Sequence, residues 1–352
     1  MRRRLERNGV FDQMNIIVDA FGGDHAPQAV IQGAAMAVQR LGVEITLVGD
    51  EQIIRKTAEE QGTSLEQIRI LHTDEVFEMH EEPTSILKAH KNCSMAVGLR
   101  ALRDDQGDAF VSAGSTGALV VGATFLAKRS PGIKRAALAP LLPTAKGVSM
   151  LIDCGANADC RPEMLVQFAL MGSAYMKNVM GVENPAVGLV NIGSEDTKGR
   201  ELEIETYHRL QEAPVNFRGN LEAREIPGGE YDVIVTDGFT GNVILKLYEG
   251  MGSFFAHKLK DVFSGVSGKL SAALVLPRIK AFKKQMDYSE VGGAVLMGIA
   301  KPVIKAHGSS DARAFYNAIR QAKACADEKM IETLTASVAA LQAMEEKKIE
   351  RA

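Results

Sequence analysis

The sequence predicts a three-layer α/β/α protein built on a mostly parallel sheet. Two observations carry that expectation. Short β-branched runs alternate with segments of helical period along most of the chain, the pattern of a parallel sheet with helices on both faces. Several strands also end in the same way, in a short stretch of glycine, hydroxyl and acidic residues that opens a helix.

Residues 1–13 (MRRRLERNGVFDQ) are basic, lack an apolar period and read as a disordered extension, and Met14 could serve as the start of the folded chain. Ile16-Ile17-Val18 is the first strand, followed by a glycine turn and a helix over 28–40 with Pro27 near its first turn. Strand 44–49, helix 51–61 and strand 68–72 continue the alternation. Acidic residues between 75 and 83 suggest a solvated loop before a helix over 85–103. Strand 109–112 leads into Ala113-Gly-Ser-Thr-Gly117 and a small-residue helix over 118–128. Strands 138–142 and 148–153, helix 162–180, strand 187–191 and helix 201–212 follow, with a short strand near 215–216 and a segment over 222–226 leading to the next strand. Strand 233–236 ends in Asp237-Gly-Phe-Thr-Gly-Asn242, where glycines 238 and 241 allow unusual backbone angles and a helix is expected to start near Thr240 or Asn242.

Residues 248–288 depart from the alternation and read as a protruding helical hairpin about a tip at 264–268. Leu270, Leu274, Val275 and Leu276 with Lys280 combine apolar and basic character, which suits an anionic membrane surface, an acidic protein or a dimer interface. Strand-like 292–298 and 302–305, the loop His307-Gly-Ser-Ser310 and a helix over 312–330 complete a single catalytic domain taken as 14–345.

The chain is 46% hydrophobic and 24% charged with a formal net charge of −3, values that fit a globular protein and lack the basic excess of nucleic-acid binders. Its four cysteines have no zinc-like spacing and no secretory signal precedes them, so they read as reduced thiols in a cytoplasmic protein. Apolar stretches are broken within about 18 residues, too short to cross a bilayer. There is no G-x-G-x-x-G after the first strand, no phosphate loop ending in G-K-[ST], no H-E-x-x-H and no G-x-S-x-G. Cys154 beside Asp153 reads as a small core residue.

What remains is a family of strand-end loops, which in an open parallel sheet gather at the carboxyl edge where ligands bind. Their glycines and hydroxyls favour a phosphate-bearing ligand. His25 suits proton transfer or a helix cap, and Asp24 suits either the orientation of His25 or a cap. Ser115, Thr116 and Gly117 suit capping or phosphate contact, as do Ser309 and Ser310 beside His307. Lys198 and Lys246 could supply positive charge.

Taken together, Val18-Asp-Ala-Phe-Gly-Gly-Asp24-His-Ala-Pro27, Ser112-Ala-Gly-Ser-Thr-Gly117, Asp153-Cys-Gly-Ala-Asn157, Asn191-Ile-Gly193 with Lys198-Gly199, Asp237 to Asn242 and His307-Gly-Ser-Ser310 resemble the bacterial phosphate acyltransferase family, the PlsX-type enzymes. The match runs in order from about Met14 to Ala326 and covers nearly the whole chain, with Phe21 and Cys154 as small departures. The resemblance implies a fold like that of isocitrate and isopropylmalate dehydrogenases, a homodimer, no metal or organic cofactor, and reversible formation of acyl phosphate from fatty acyl carrier protein and inorganic phosphate for phospholipid synthesis. It further implies hand-over to a membrane glycerol-3-phosphate acyltransferase and peripheral membrane attachment. A phosphotransacetylase-like enzyme using coenzyme A, a nicotinamide-dependent decarboxylating dehydrogenase of the same fold and a non-catalytic lipid-binding adaptor are the alternatives. In the reaction implied, glycine and hydroxyl loops place phosphate, with Asp237, Gly238, Thr240 and Gly241 among them. A backbone N–H pair or the side chain of Asn157 or Asn242 could meet the developing oxyanion, and His25 or His307 could protonate the departing thiolate. An acidic carrier would dock on a basic patch, with Lys134 and Arg135 or the cluster at 278–284 as candidates.

Overall fold

Apolar residues at consecutive positions define the strands that carry the sites. In β1 (Asn15–Asp19), Ile16, Ile17 and Val18 are completely buried, so both faces of the strand are covered. The computed structural model describes residues 13–263, 275, 292–327, 333–340 and 343. In chain order there follow α1 (Gln28–Leu41), β2 (Glu44–Gly49), α2 (Glu51–Glu60), β3 (Ile68–His72), α3 (Ser94–Arg103), β4 (Ala109–Ser112) and α4 (Thr116–Gly122). The next elements are β5 (Ala137–Ala139), β6 (Leu141–Thr144), β7 (Gly147–Ile152), α5 (Pro162–Asn178), β8 (Ala186–Asn191), α6 (Glu201–Glu212), β9 (Asn216–Glu222) and β10 (Val233–Val235). Helix α7 (Gly238–Val262), β11 (Ala294–Met297), β12 (Val303–Lys305) and α8 (Ala312–Asp327) complete the order.

Backbone contacts resolve two compact units within this chain, Met1–Pro131 with Gly292–Ile331, and Gly132–Val291 with Glu332–Ala352. In the first unit the strands follow the order β3-β2-β1-β4-β12-β11, all parallel except for the antiparallel pair β11 and β12. Strand order turns back between β1 and β4, the position at which a parallel sheet opens a crevice beyond its strand ends. In the second unit the order is β6-β7-β10-β8-β9, parallel except for β6. Its core includes Leu142, Leu151, Cys154, Val190, Leu221, Ile226 and Ile234, with Ile244, Leu245 and Tyr248 of α7 packed against it.

Several elements differ from the sequence expectation for visible reasons. The helix expected over 85–103 is a 3-10 turn, Pro83–Leu87, followed by α3 from Ser94. Between them tertiary partners hold the chain: Nδ1 of His90 lies 2.9 Å from Glu75 and its Nε2 3.3 Å from Glu81. The strand expected over 138–142 is divided into β5 and β6, with Pro140 between them. The helix expected over 118–128 begins at Thr116 and passes into a π-helical turn, Ala123–Lys128. The short strand expected near 215–216 is β9, which runs on to Glu222. Of the hairpin, the described residues are those of α7 up to Val262, Phe263 and a helical, half-buried Val275. Leu270, Leu274, Leu276, Lys280 and the 278–284 cluster lie outside the described residues, as does the extension before residue 13.

Close helix packing fixes the first unit. A Cβ on Gly33 of α1 would stand 2.6 Å from Cβ of Phe315 and 2.8 Å from the carbonyl oxygen of Ala312, both of α8. Gly33→Val is expected to push these helices apart and cost about 1–3 kcal/mol. Urea unfolding reads this as a lower midpoint, and an unchanged midpoint would contradict the packing argument.

Candidate functional site

The motifs at the strand ends are organised by buried carboxylates. In the first unit, Asp19 closes β1 and is 2% exposed. Its oxygens accept hydrogen bonds from Ser94 Oγ and Ser112 Oγ, both at 2.7 Å, and from the Phe21 N–H at 3.2 Å. Ser112 Oγ in turn accepts the Gly114 N–H at 3.0 Å, so one carboxylate orders the loops after β1 and β4. Gly22 is required by this approach, since a Cβ there would meet Gly114 N at 2.6 Å and Asp19 Oδ2 at 2.7 Å. The Asp24 N–H donates to Gly308 O, joining the loop after β12 to the same edge. Lys305 reaches back to donate to Ala113 O at 3.2 Å.

Around this frame stand the residues singled out in the first unit. Ser115 is the N-cap of α4 and accepts the Ala118 N–H, while Pro83 packs over Gly117. Thr116 opens the helix. His307 accepts at Nδ1 from Ser309, whose hydroxyl lies 2.9 Å away, which places the proton of the neutral ring on Nε2. Ser310 is buried, and Asp311 caps α8 by accepting the Ala314 N–H. His25 and Asp24 are both exposed, and no hydrogen bond joins them among the described residues.

The second unit repeats the device. Asp153, completely buried after β7, accepts from the N–H groups of Leu138, Ala156 and Asn157 and from Asn157 Nδ2 at 2.9 Å. The other hydrogen of Asn157 Nδ2 goes to Ala136 O at 2.7 Å, so this amide stabilises its own loop and has none left for an oxyanion. Helix α7 presses on the loop. A Cβ on Gly241 would fall 1.8 Å from Asp153 O, and one on Gly238 would fall 2.6 Å from Asn157 O. Neither glycine has a positive φ, so close approach rather than unusual backbone angles explains both.

Asp237 is the N-cap of α7, so the helix starts at Gly238 and not at Thr240 or Asn242. Its Oδ1 accepts the Thr240 N–H at 2.8 Å, and its Oδ2 accepts Thr240 Oγ1 at 3.0 Å and Arg200 Nη2 at 2.6 Å. The Gly238 N–H donates to Asn157 O and the Gly241 N–H to Asp237 O. Three amides of this opening are thus already occupied by the protein itself. Asn242 is exposed beside Gly155 and makes no side-chain hydrogen bond among the described residues. Lys198 is exposed at the end of a loop fastened by Asn191, whose Nδ2 donates to Lys198 O. Lys246 is ion-paired with Glu249 at 2.9 Å.

Burial raises the carboxyls of Asp19 and Asp153 and the thiols of Cys154 and Cys160. Asp19 and Asp153 lie above the ordinary 3.8, chiefly through desolvation, with their hydrogen bonds opposing the shift. Cys154 is raised well above its ordinary value and Cys160 to about 12, again chiefly by burial, so neither forms a thiolate nucleophile near neutral pH. Among the described residues, no group of three or more His, Cys, Asp or Glu side chains could hold a metal ion, and no helix is long and apolar enough to cross a membrane.

The model of the fatty acid synthesis protein family matches residues 14–333. A phosphate acyltransferase from Bacillus licheniformis is 49% identical over 313 residues, covering 88% of this chain and 94% of that one. One from Oceanobacillus iheyensis is 47% identical over 335 residues, covering 95% and 100%. The chain belongs to the phosphate acyltransferase family. It is therefore an acyltransferase, and these loops are the strand-end loops of a phosphate acyltransferase. Among solved structures, a phosphotransacetylase from Streptococcus pyogenes is similar with a TM-score of 0.62 at 17% identity, covering 89% of this chain and 94% of that one. A 4-hydroxythreonine-4-phosphate dehydrogenase from Klebsiella pneumoniae has a TM-score of 0.52 at 12% identity, covering 90% and 100%. These likenesses show the α/β fold expected from the sequence, shared with acyl-transferring and dehydrogenating enzymes.

Arg200, Asp19 and Asp153 are the organising residues that the sequence reading did not single out as site residues. The aspartates carry a legible signal, because NIIVD and MLID both put an acid where a strand ends and glycine follows. Their protonation has a measurable consequence. At pH values just above 3.8 the folded chain retains protons on Asp19 and Asp153 that the unfolded chain has released, so stability falls as pH rises from 3.8 to the folded values. Asp19→Asn should reduce the pH dependence of the urea midpoint in that window. A slope equal to wild type would contradict the assignment.

Proposed function

We propose that this phosphate acyltransferase moves the fatty acyl group of acyl carrier protein to inorganic phosphate, reversibly, giving acyl phosphate and the free carrier thiol for phospholipid synthesis. The observation that carries the reading is Asn242, an exposed amide without a protein partner among the described residues, at the opening of α7 in a chain of this family. A phosphate oxygen attacks the thioester carbon. The tetrahedral intermediate then collapses with cleavage of the carbon–sulfur bond, and the thiolate takes up a proton. Phosphate is already anionic near neutral pH, so placement matters more than deprotonation.

Within this reading Asn242 donates to the oxyanion and Lys198 offers positive charge to phosphate. Asp237, Thr240, Gly238 and Gly241 serve by shaping the helix opening, and Asn157 by holding the loop beneath it. In the first unit, Ser115, Thr116, Gly117, Ser309 and Ser310 are proposed as phosphate contacts, with Asp24 beside them. His307 and His25 are proposed as proton donors.

Helix α7 supports a second part of the reading. Phe239, Val243, Leu247, Met251, Phe254, Phe255 and Val262 are exposed, from 41% at Met251 to 72% at Val262, and at about 100° per residue they share one broad side of the helix. An exposed apolar side of this kind, unbroken by charge from Phe239 to Phe255, marks an interaction surface. It is proposed as a homodimer contact, with peripheral attachment to an anionic cytoplasmic membrane through residues 270–280 and hand-over of acyl phosphate to a membrane glycerol-3-phosphate acyltransferase.

Long-chain acyl carrier protein incubated with phosphate, with the product trapped as hydroxamate, tests the reaction. Turnover is expected with the carrier protein and lower turnover with acyl coenzyme A. Preference for coenzyme A, or reduction of nicotinamide in the presence of magnesium, would overturn the substrate assignment. Asn242→Ala should lower kcat by about 10²–10³. Wild-type kcat in that variant would remove the oxyanion role, and an undiminished His307→Ala variant would remove the proton donor. Val243→Glu with Leu247→Glu should turn a dimer into a monomer in sedimentation equilibrium. A wild-type chain that sediments as a monomer would dismiss the contact.

A further inference from the structure

The first helical turn of α7 carries an unfavourable charge for a protein that handles phosphate. Asp237 is buried, with its side chain 4% exposed, and Glu203 of α6 is 10% exposed. Two carboxylates therefore lie at the opening of the helix that the proposed function assigns to an anionic substrate. A single cation meets both. Arg200 donates from Nη2 to Asp237 Oδ2 at 2.6 Å and to Glu203 Oε1, and from Nε to both oxygens of Glu203 at 3.1 Å. The Arg200 N–H also donates to Glu203 Oε2 at 2.7 Å, which closes the first turn of α6.

The placement of Arg200 is fixed by its neighbours. Gly199 has φ of +95°, and a Cβ there would meet Asn191 Oδ1 at 2.7 Å and Glu203 Cβ at 2.8 Å. Asn191 holds the loop from its other side through Lys198 O. The guanidinium is thus delivered to Asp237 by a loop with little freedom, while its side chain remains 63% exposed. A cation that pairs with two buried acids, and still faces solvent, lowers the negative charge that an approaching anion meets from two units to one.

We infer that Arg200 is a positioning residue of the phosphate site: by pairing with Asp237 and Glu203 it offsets one of their two negative charges at the start of α7 and lets inorganic phosphate approach. This rests on the proposed function for its biological meaning but not for its test. Asp237 caps α7 through Oδ1, which an asparagine retains, whereas the negative charge is lost on substitution. The charge and the cap can therefore be separated.

The decisive comparison is the dissociation constant of inorganic phosphate, read by titration calorimetry on the full chain, for wild type, Arg200→Gln, Arg200→Lys and Arg200→Gln combined with Asp237→Asn. Arg200→Gln should weaken phosphate at least about fivefold, Arg200→Lys should lie between it and wild type, and the double variant should return to within about twofold of wild type. A purely structural role would not be repaired by Asp237→Asn. Unchanged affinity in Arg200→Gln, or a loss that the double variant does not reverse, would overturn the inference. If Arg200→Gln does not fold, Asp237→Asn alone decides: affinity equal to or above wild type supports the charge role, and a loss overturns it. Thiol release from acyl carrier protein in the same wild-type preparation reports separately on the proposed function. If turnover is seen, Arg200→Gln and Arg200→Lys should raise KM for phosphate by a larger factor than they lower kcat.

Discussion

The loops of both units depend on a carboxylate buried at the end of a parallel strand. Asp153 takes three backbone N–H groups and an amide hydrogen, and Asp19 takes two hydroxyls and a backbone N–H. Each is costly to bury and each is compensated by donors from loops that would otherwise have no common partner. Close approach is then possible only where a side chain is missing, which is the role of Gly22 between two loops of one unit and of Gly238 and Gly241 between helix α7 and the loop in the other. Buried charge, collected donors and omitted side chains form one mechanical unit, and the candidate site residues stand on its outer surface.

That arrangement divides the conspicuous polar residues into two groups. Asn157, Asp237 and Thr240 have their hydrogen-bonding capacity directed inward, toward the loop and the helix start. Asn242 and Lys198 face outward. An oxyanion donor has to be in the second group, because a donor already engaged must break one bond to make another. The same reasoning makes Arg200 informative, since it touches the inward group with one edge and solvent with the other.

Much of the fold was legible in the sequence. Strand 44–49, strand 68–72 and helix 201–212 coincide with β2, β3 and α6, because β-branched runs and a clear helical period agree there with the tertiary environment. The break in 85–103 was not legible, since the contacts of His90 with Glu75 and Glu81 come from residues about ten to fifteen positions away, outside any local period. In the site, the glycines at 238 and 241 were found but for another reason, and the ion pair of Arg200 with Asp237 was hidden by the 37 positions between them. Sequence pattern marks which loops are special. Which atoms in them are free is decided by packing.

In the proposed reaction phosphate itself is the nucleophile at the acyl carbon. Fatty acyl carrier protein supplied with phosphate fully labelled with oxygen-18 tests it most directly, with the product weighed by mass spectrometry. Acyl phosphate that retains the whole label, bridging oxygen included, is the expected product. Unlabelled free fatty acid carrying an oxygen from solvent, with no acyl phosphate formed, would contradict it.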